Sequence, residues 1–399
     1  MGEHGTLLEQ VNLSPSVRES FPWVRELRRE FHRHPELGFE EVWTQKRIEE
    51  ELSRLGMEYR EVAKTGLVSL LDTGASGQCA MVRTDIDALP VEEQNEHDYK
   101  SEHPGRMHAC GHDAHMAIML GTIRELKQSP PQKGVVKFIF QPGEEGFLGA
   151  KHMIEAGVME EPKVDVVFGY HVWQPLPVGK IGIVPGPCMA AVDVFTVRII
   201  GSSTHAAYPH GGVDPIYIAA QVISALQSIV SRNLNPLDRA VVTVGAINAG
   251  TAFNIIPEYA ELKGTVRTFS PEARKLIPER FRAIVSGVAE ALGGRAEIEY
   301  LQEIPATVND PEVAAFVREV AEEIVGKENV VEPEPSMGGE DHAFYQEIAP
   351  GCYSFIGMAN PEKGAIYPHH HPKFNLDEDA LAIGVELISQ VTRRWLNQH

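Results

Sequence analysis

Three short apolar runs, each ending in residues that can bind a metal or move a proton, constrain this chain more than any other feature. Cys79–Thr84 leads into Asp85-Ile86-Asp87, and Val135–Phe140 leads into Gln141-Pro142-Gly143-Glu144-Glu145. Val164–Phe168 leads into Gly169-Tyr170-His171. Apolar runs without alternation fit strands buried on both faces, as in a parallel sheet covered by helices. Helical periodicity predicts the covering elements at Ser16–His32, Val42–Leu55 and Ala117–Leu126, and further on at Pro311–Val325 and Leu376–Leu396. In open α/β sheets ligands bind outside the carboxyl ends of the strands, which is where these runs release Asp85, Asp87, Glu144, Glu145 and His171.

The stretch Met107–His115 adds a second constraint. It holds Cys110 and His112 around Gly111, with His108, Asp113 and His115 beside them. Cys and His at i and i+2 cannot share a helical face, but a glycine between them lets both turn toward one point. Thiolate with imidazole suits zinc, manganese, cobalt or nickel. Other donors come from one or both of Glu144 and Glu145, from His171, and from one of the three histidines at 369–371. A single catalytic ion needs about three protein ligands. Five or more suit two ions that together activate a water and polarise a carbonyl. One of the paired glutamates can then bind metal while its neighbour serves as general base.

Between these segments the pattern changes. Strands are expected at Val192–Ile200, Ala240–Ala246, Tyr259–Arg267 and Ala296–Tyr300, with helices at Asp214–Ser231 and Pro271–Leu292. This βαββαβ order is the ferredoxin-like split arrangement. Phe195, Val197 and Ile199 share one face of its first strand, and Thr196 and Arg198 share the other. The expected architecture is therefore α/β: a mixed, mostly parallel sheet flanked by helices, interrupted by an α+β domain. The boundaries read as 1–190 with 304–399 for the metal-binding domain, and 191–303 for the insertion.

Composition narrows the partners. With 36 basic and 56 acidic residues the net charge is −20, which argues against nucleic acid and anionic membranes. No apolar run reaches the roughly 20 residues that span a bilayer. Met1–Gln10 carries acidic residues without a basic-then-apolar order, so no secretory signal is expected. Four widely spaced cysteines then fit a reducing cytoplasm.

The ordered motifs Phe31-His32-Arg33-His34-Pro35-Glu36, Arg83–Pro90, His108–Asp113, Gln141–Glu145, Gly169–His171, His205–His210, Phe253–Pro257, Gly339–Asp341 and His370–Phe374 carry a resemblance. The chain resembles the amidohydrolase branch of the aminoacylase and carboxypeptidase superfamily of dinuclear metallopeptidases, which includes hippurate hydrolases, N-acyl-amino-acid amidohydrolases and auxin-conjugate hydrolases. The resemblance covers nearly the whole chain. It implies Cys110, His112, Glu145, His171 and His370 as ligands of two divalent ions, and Glu144 as general base. His370 is preferred because it stands two positions before Pro372, as the family pattern requires. Asp85 stands where other branches carry a metal-binding histidine. Asp85, Asp87 and Asp113 are therefore expected to orient ligands, and His108 and His115 are not expected to be ligands. In similar proteins the inserted domain is a lid and dimerisation module, so a homodimer or dimer-based oligomer is implied. The histidine matching His205 stabilises the oxyanion there, and Asn254 and Arg267 are candidates for substrate contact. The implied activity is hydrolysis of small N-acyl amino acids. The alternatives are a metallo-dipeptidase or carboxypeptidase using the same site and, further off, a non-catalytic metal or ligand binder.

Overall fold

The computed structural model describes residues 6–399, so the reading of Met1–Gln10 lies partly outside the described residues. The chain forms two compact units. One runs through Cys188 and includes Val308–Glu334 and Asp341–His399; the other comprises Met189–Thr307 and Pro335–Glu340.

The first unit is built on an eight-stranded mixed sheet. Across it lie Tyr59–Val62, Gly66–Asp72, Val135–Gln141, Cys79–Asp85, Val166–Pro177, Gly351–Ala359, Ile181–Gly182 and Val330–Val331. The central strands 135–141, 79–85, 166–177 and 351–359 run parallel to their neighbours in that series. Antiparallel pairs lie outside them. Every residue of Cys79–Asp85 is buried, as a strand covered on both faces must be. Helices Pro15–Arg33, His112–Gln128 and Asp379–Gln398 pack on one another and share the main core with Pro311–Val325. Ser14 and Asp310 cap their helices through side-chain oxygens, each ahead of a proline in the first turn.

Two elements differ from expectation in ways that move site residues. The helix expected from Ala117 begins at His112. Gly111 makes this possible, because its left-handed backbone (φ 95°) turns the chain into the helix directly after Cys110. His112, Asp113 and His115 thus belong to the first helical turn and not to a loop. The strand expected at Val164–Phe168 runs over Val166–Pro177. Its pairing with 351–359 continues past Phe168, and His171 stands opposite Phe355. His171 is therefore presented from within a strand, not from beyond its end.

The second unit carries a four-stranded antiparallel sheet in the order Ala240–Ala249, Tyr259–Thr268, Ala191–Ile200, Arg295–Ile304. Helices Pro215–Ser228 and Pro271–Ala291 complete the βαββαβ order. Phe195, Val197 and Ile199 enter a separate core with both helices, whereas Arg198 is exposed. The segment Pro335–Glu340 joins this unit, where Ala190 N–H donates to the carbonyls of Ser336 and Gly338 at 3.0 Å.

Two local devices set the backbone around the polar strand ends. A Cβ at Gly111 would meet Val172 Cγ2 at 2.5 Å, so both conformation and space demand glycine. After Val135–Gln141 the chain turns through Gly143 (φ 63°), whose N–H donates to Glu41 Oε1 at 3.0 Å. Glu41 Oε2 accepts from Thr65 Oγ1 at 2.6 Å. Burial pushes the Glu41 carboxyl up to about 7.

Gly111→Ala should cost about 2 kcal/mol of unfolding stability, from a left-handed non-glycine residue and the Val172 contact. A urea titration indistinguishable from wild type would refute that account. For Glu41 the folded pKa lies above the unfolded one, so the folded state holds the extra proton between them. Stability should therefore fall as pH rises from about 4.5 to 7, by roughly 3 kcal/mol from this group. Glu41→Gln should flatten that part of the pH profile of the urea midpoint.

Candidate metal centre

Cys110 is the meeting point of the site. Its Sγ lies 3.5 Å from His171 Nε2. Ligand atoms of Cys110, His112 and Glu145 lie within 4.8 Å of one another, and so do those of Cys110, His171 and His369. Two three-donor groups thus share one sulfur. Four of the five expected ligands are gathered here directly. The fifth, His370, contacts Glu145 instead, with Nε2 at 3.2 Å from Oε1. The imidazole beside Cys110 and His171 is that of His369, which the reading of the His-rich run passed over. Its signal was its place in that run. What sets it apart is tertiary: it packs on Phe374 and Trp173 and edge-on to His171.

Each donor is aimed by a partner. His112 Nδ1–H donates to the Asp87 carbonyl at 2.8 Å, which leaves Nε2 for the site. Asp87 Oδ2 also accepts from Glu145 N–H at 2.9 Å, so one aspartate orients two of the gathered donors. Such outer contacts fix tautomer and ring orientation. His171 Nδ1–H donates to the Val172 carbonyl at 2.6 Å, leaving Nε2 toward Cys110. Asp85 sits 3.6 Å from His112 Nε2 through Oδ2, accepts from Arg83 at 2.8 Å, and takes His115 Nδ1–H at 2.7 Å. His115 Nε2 accepts from Val172 N–H at 3.0 Å, so both its nitrogens are engaged and it has no donor to offer. Asp113 turns away from the donors and binds Arg28 Nε and His32 Nδ1, each at 2.8 Å. His108 is buried with no hydrogen-bond partner at either ring nitrogen.

Glu144 and Glu145 follow each other in a tight turn with left-handed residues at Gly143, Gly146 and Leu148. Their carboxylates diverge. Glu145 faces His112 and His370. A Glu144 oxygen lies within 4.8 Å of one from Asp341, and its charge still acts on the Cys110 thiol.

The electrostatics suit a cation. Burial and the carboxylates of Glu145, Glu144 and Asp85 hold the Cys110 thiol well above its ordinary pKa. Burial opposes charge on His112, but Asp85, Asp87 and Glu145 outweigh it and raise its pKa to about 10. Burial and neighbouring imidazoles keep His171 well below its ordinary value and take His369 down to about 3. His112 Nε2, Glu145 Oε1 and His369 Nδ1 are buried without an aligned hydrogen-bond partner. Orphaned donor atoms around a thiol, with excess carboxylate, match what a divalent ion requires.

His205, Asn254 and Arg267 belong to the second unit. His205 is exposed on the short strand Thr204–His205, paired with Ile255–Ile256. The Asn254 carbonyl accepts from Ala206 N–H at 3.0 Å, so these residues form one exposed corner. Arg267 is half-buried near the far end of Tyr259–Thr268, where it contacts Thr265 Oγ1 and the Val266 carbonyl. The second unit thus brings His205 and Asn254 together and leaves Arg267 apart.

The family model for peptidase family M20/M25/M40 matches residues 81–394. The N-acetylcysteine deacetylase of Bacillus subtilis (strain 168) is 42% identical, covering 92% of this chain and 94% of that one. The IAA-amino acid hydrolase ILR1-like 4 of Arabidopsis thaliana is 40% identical, covering 94% and 86%. The crystal structure of the Bacillus subtilis YXEP protein, described as a dinuclear metal binding peptidase from the M20 family, superposes with a TM-score of 0.83 at 37% identity, covering 96% and 100%. The chain therefore belongs to peptidase family M20/M25/M40 and is a metal-dependent hydrolase of the amidohydrolase and peptidase type.

Proposed function

We propose that this chain hydrolyses the amide bond of N-acyl amino acids, releasing a carboxylate and a free amino acid. The convergence of two donor groups on Cys110, with Glu144 beside them, is the observation that supports this most. Relatives named as an N-acetylcysteine deacetylase and an IAA-amino acid hydrolase support the substrate class.

Cys110, His112 and Glu145 would hold one divalent ion. Cys110, His171 and an imidazole from His369-His370 would hold the other, with manganese, zinc, cobalt and nickel all compatible. When bound, the ions supply Lewis acidity that acidifies water and polarises the acyl carbonyl. The remaining work falls to side chains. Glu144 takes a proton from the attacking water at a carboxylate oxygen as the water oxygen bonds to the acyl carbon. It then delivers that proton to the amide nitrogen as the C–N bond breaks. Asp87 keeps His112 and Glu145 aimed, and Asp85 does the same for the His115 strut. His205 is the proposed donor to the developing oxyanion, with Asn254 and Arg267 as substrate contacts in a lid and dimerisation domain. The proposed setting is a cytoplasmic homodimer acting on small molecules. Among the described residues no helix is long and apolar enough to cross a membrane.

Glu144→Gln should lower kcat on the best acyl amino acid by about a thousandfold with metal content unchanged. Near-wild-type turnover would remove Glu144 from the mechanism. A panel of acetyl-, benzoyl- and indoleacetyl-amino acids beside dipeptides tests the substrate class, and preference for dipeptides would overturn it in favour of a peptidase. His205→Ala should cost about a hundredfold in kcat. Metal uptake should weaken on acidification, because Cys110 and His112 must both lose protons to serve as ligands; each displaced proton contributes about tenfold per pH unit.

A further inference from the structure

A second convergence of ligand atoms lies outside the Cys110 groups. His32 comes from the last turn of helix Pro15–Arg33. Glu93 and His97 come from the irregular excursion between Leu89 and Met107, whose neck is closed by paired backbone hydrogen bonds of 3.0 Å. Nε2 of His32 lies 3.2 Å from Glu93 Oε1, and Nε2 of His97 lies 3.1 Å from the same oxygen. The three atoms fall within 4.8 Å of one another. A tetrahedral ion with bonds of about 2.0–2.1 Å spaces its ligand atoms roughly 3.3 Å apart, so both measured edges fit.

A plain hydrogen-bonded cluster would have the same spacing, and the details speak for more than that. Neither ring nitrogen of His97 has an aligned hydrogen-bond partner, although both are shielded from solvent. Its Nε2 therefore approaches Oε1 without pointing an N–H at it. His32 Nδ1 is held at 2.8 Å by Asp113, which also binds Arg28, and this presents Nε2 outward. A carboxylate behind a histidine is the usual support of a metal-bound imidazole. Glu93 Oε2 is taken by Ser101 N–H at 2.7 Å, which turns Oε1 toward both rings, where Asn95 Nδ2 also reaches it at 3.1 Å. His97 stacks on Tyr99 at 3.7 Å and 15°, so its ring plane is fixed. The His32 and Glu93 side chains are 0% and 1% exposed and that of His97 is 15% exposed, which gives the cluster one solvent-facing side.

We propose that His32, Glu93 and His97 bind a further divalent ion of the zinc class, separate from any ions at Cys110. Two imidazoles and a carboxylate form a donor set that zinc accepts readily. Binding displaces the proton shared by His32 Nε2 and Glu93 Oε1 to solvent. The ion ties the 90–106 excursion to helix Pro15–Arg33. Because that excursion leads into Met107–Cys110, occupancy stiffens the backbone entering the Cys110 site without adding a group to the chemistry. The proposal does not rest on the substrate reading.

The test strips the full-length protein with chelator, reloads it with Zn²⁺, removes excess by gel filtration and counts zinc per chain. His97→Phe keeps a ring for Tyr99 and removes both nitrogens, and His97→Gln is the second variant. The expected result is one zinc fewer per chain in both variants than in wild type. In parallel, Co²⁺ titration of wild type should show an equivalent that adds visible d–d absorption without thiolate-to-cobalt charge transfer. The charge-transfer band reports Cys110 separately, so an empty Cys110 site is told apart from an empty His32 site. Equal zinc counts in wild type and variants, or cobalt uptake accounted for wholly by thiolate-linked equivalents, overturn the proposal.

Discussion

The guanidinium of Arg83 holds the polar end of the central sheet together. It is 1% exposed and uses all three of its nitrogens, donating to Gln141 Oε1 at 2.9 Å, Asp85 Oδ2 at 2.8 Å and Asp341 Oδ1 at 2.9 Å. Gln141 in turn donates to both oxygens of Asp341, and Tyr345 donates to Gln141. Two adjacent parallel strands and the segment after Glu340 are thereby fixed at one point. A buried charge that loses one partner costs roughly 3–5 kcal/mol, so the arrangement tolerates little drift. Asp85 is tied to Arg83, and His115 takes its position from Asp85.

From that hub the site inherits its electrostatic character. Carboxylates outnumber fixed cations around Cys110, and burial prevents water from screening them. The thiol and the two imidazoles on one side stay neutral, while His112 gathers charge on the other. The same geometry presents a ready ligand set once a cation supplies the missing charge. Two of its donors are positioned by one residue, Asp87, through its carbonyl and its carboxylate.

Much of this was legible in the sequence because it rests on local rules. The buried strand 79–85 announced itself by a short apolar run without alternation, and helix 311–325 by its period. Gly111 marked the bend that brings Cys110 and His112 together. What was not legible depends on contacts between distant segments. The extension of strand 166–177 past His171 follows from its long pairing with 351–359, which no local pattern reports. His369 and His370 are adjacent and chemically identical, and only the packing of Phe374 and Trp173 decides which faces Cys110. The role of His115 as a doubly bonded strut required knowing that Val172 N–H arrives from across the core.

The chain passes between its two units at four places: after Cys188, Thr307, Glu334 and Glu340. The second unit is thus not a cassette that can be lifted out between two cut points. Removing Met189–Thr307 alone would strand Pro335–Glu340, whose Ser336 and Gly338 carbonyls are met by Ala190. The residue directly after that stranded piece is Asp341, an acceptor of the Arg83 hub. The ion network under the catalytic sheet is therefore joined covalently to a fragment of the other unit. Any excision or transplant of the second unit has to take Met189–Thr307 and Pro335–Glu340 together and rejoin the chain on both sides of Val308–Glu334.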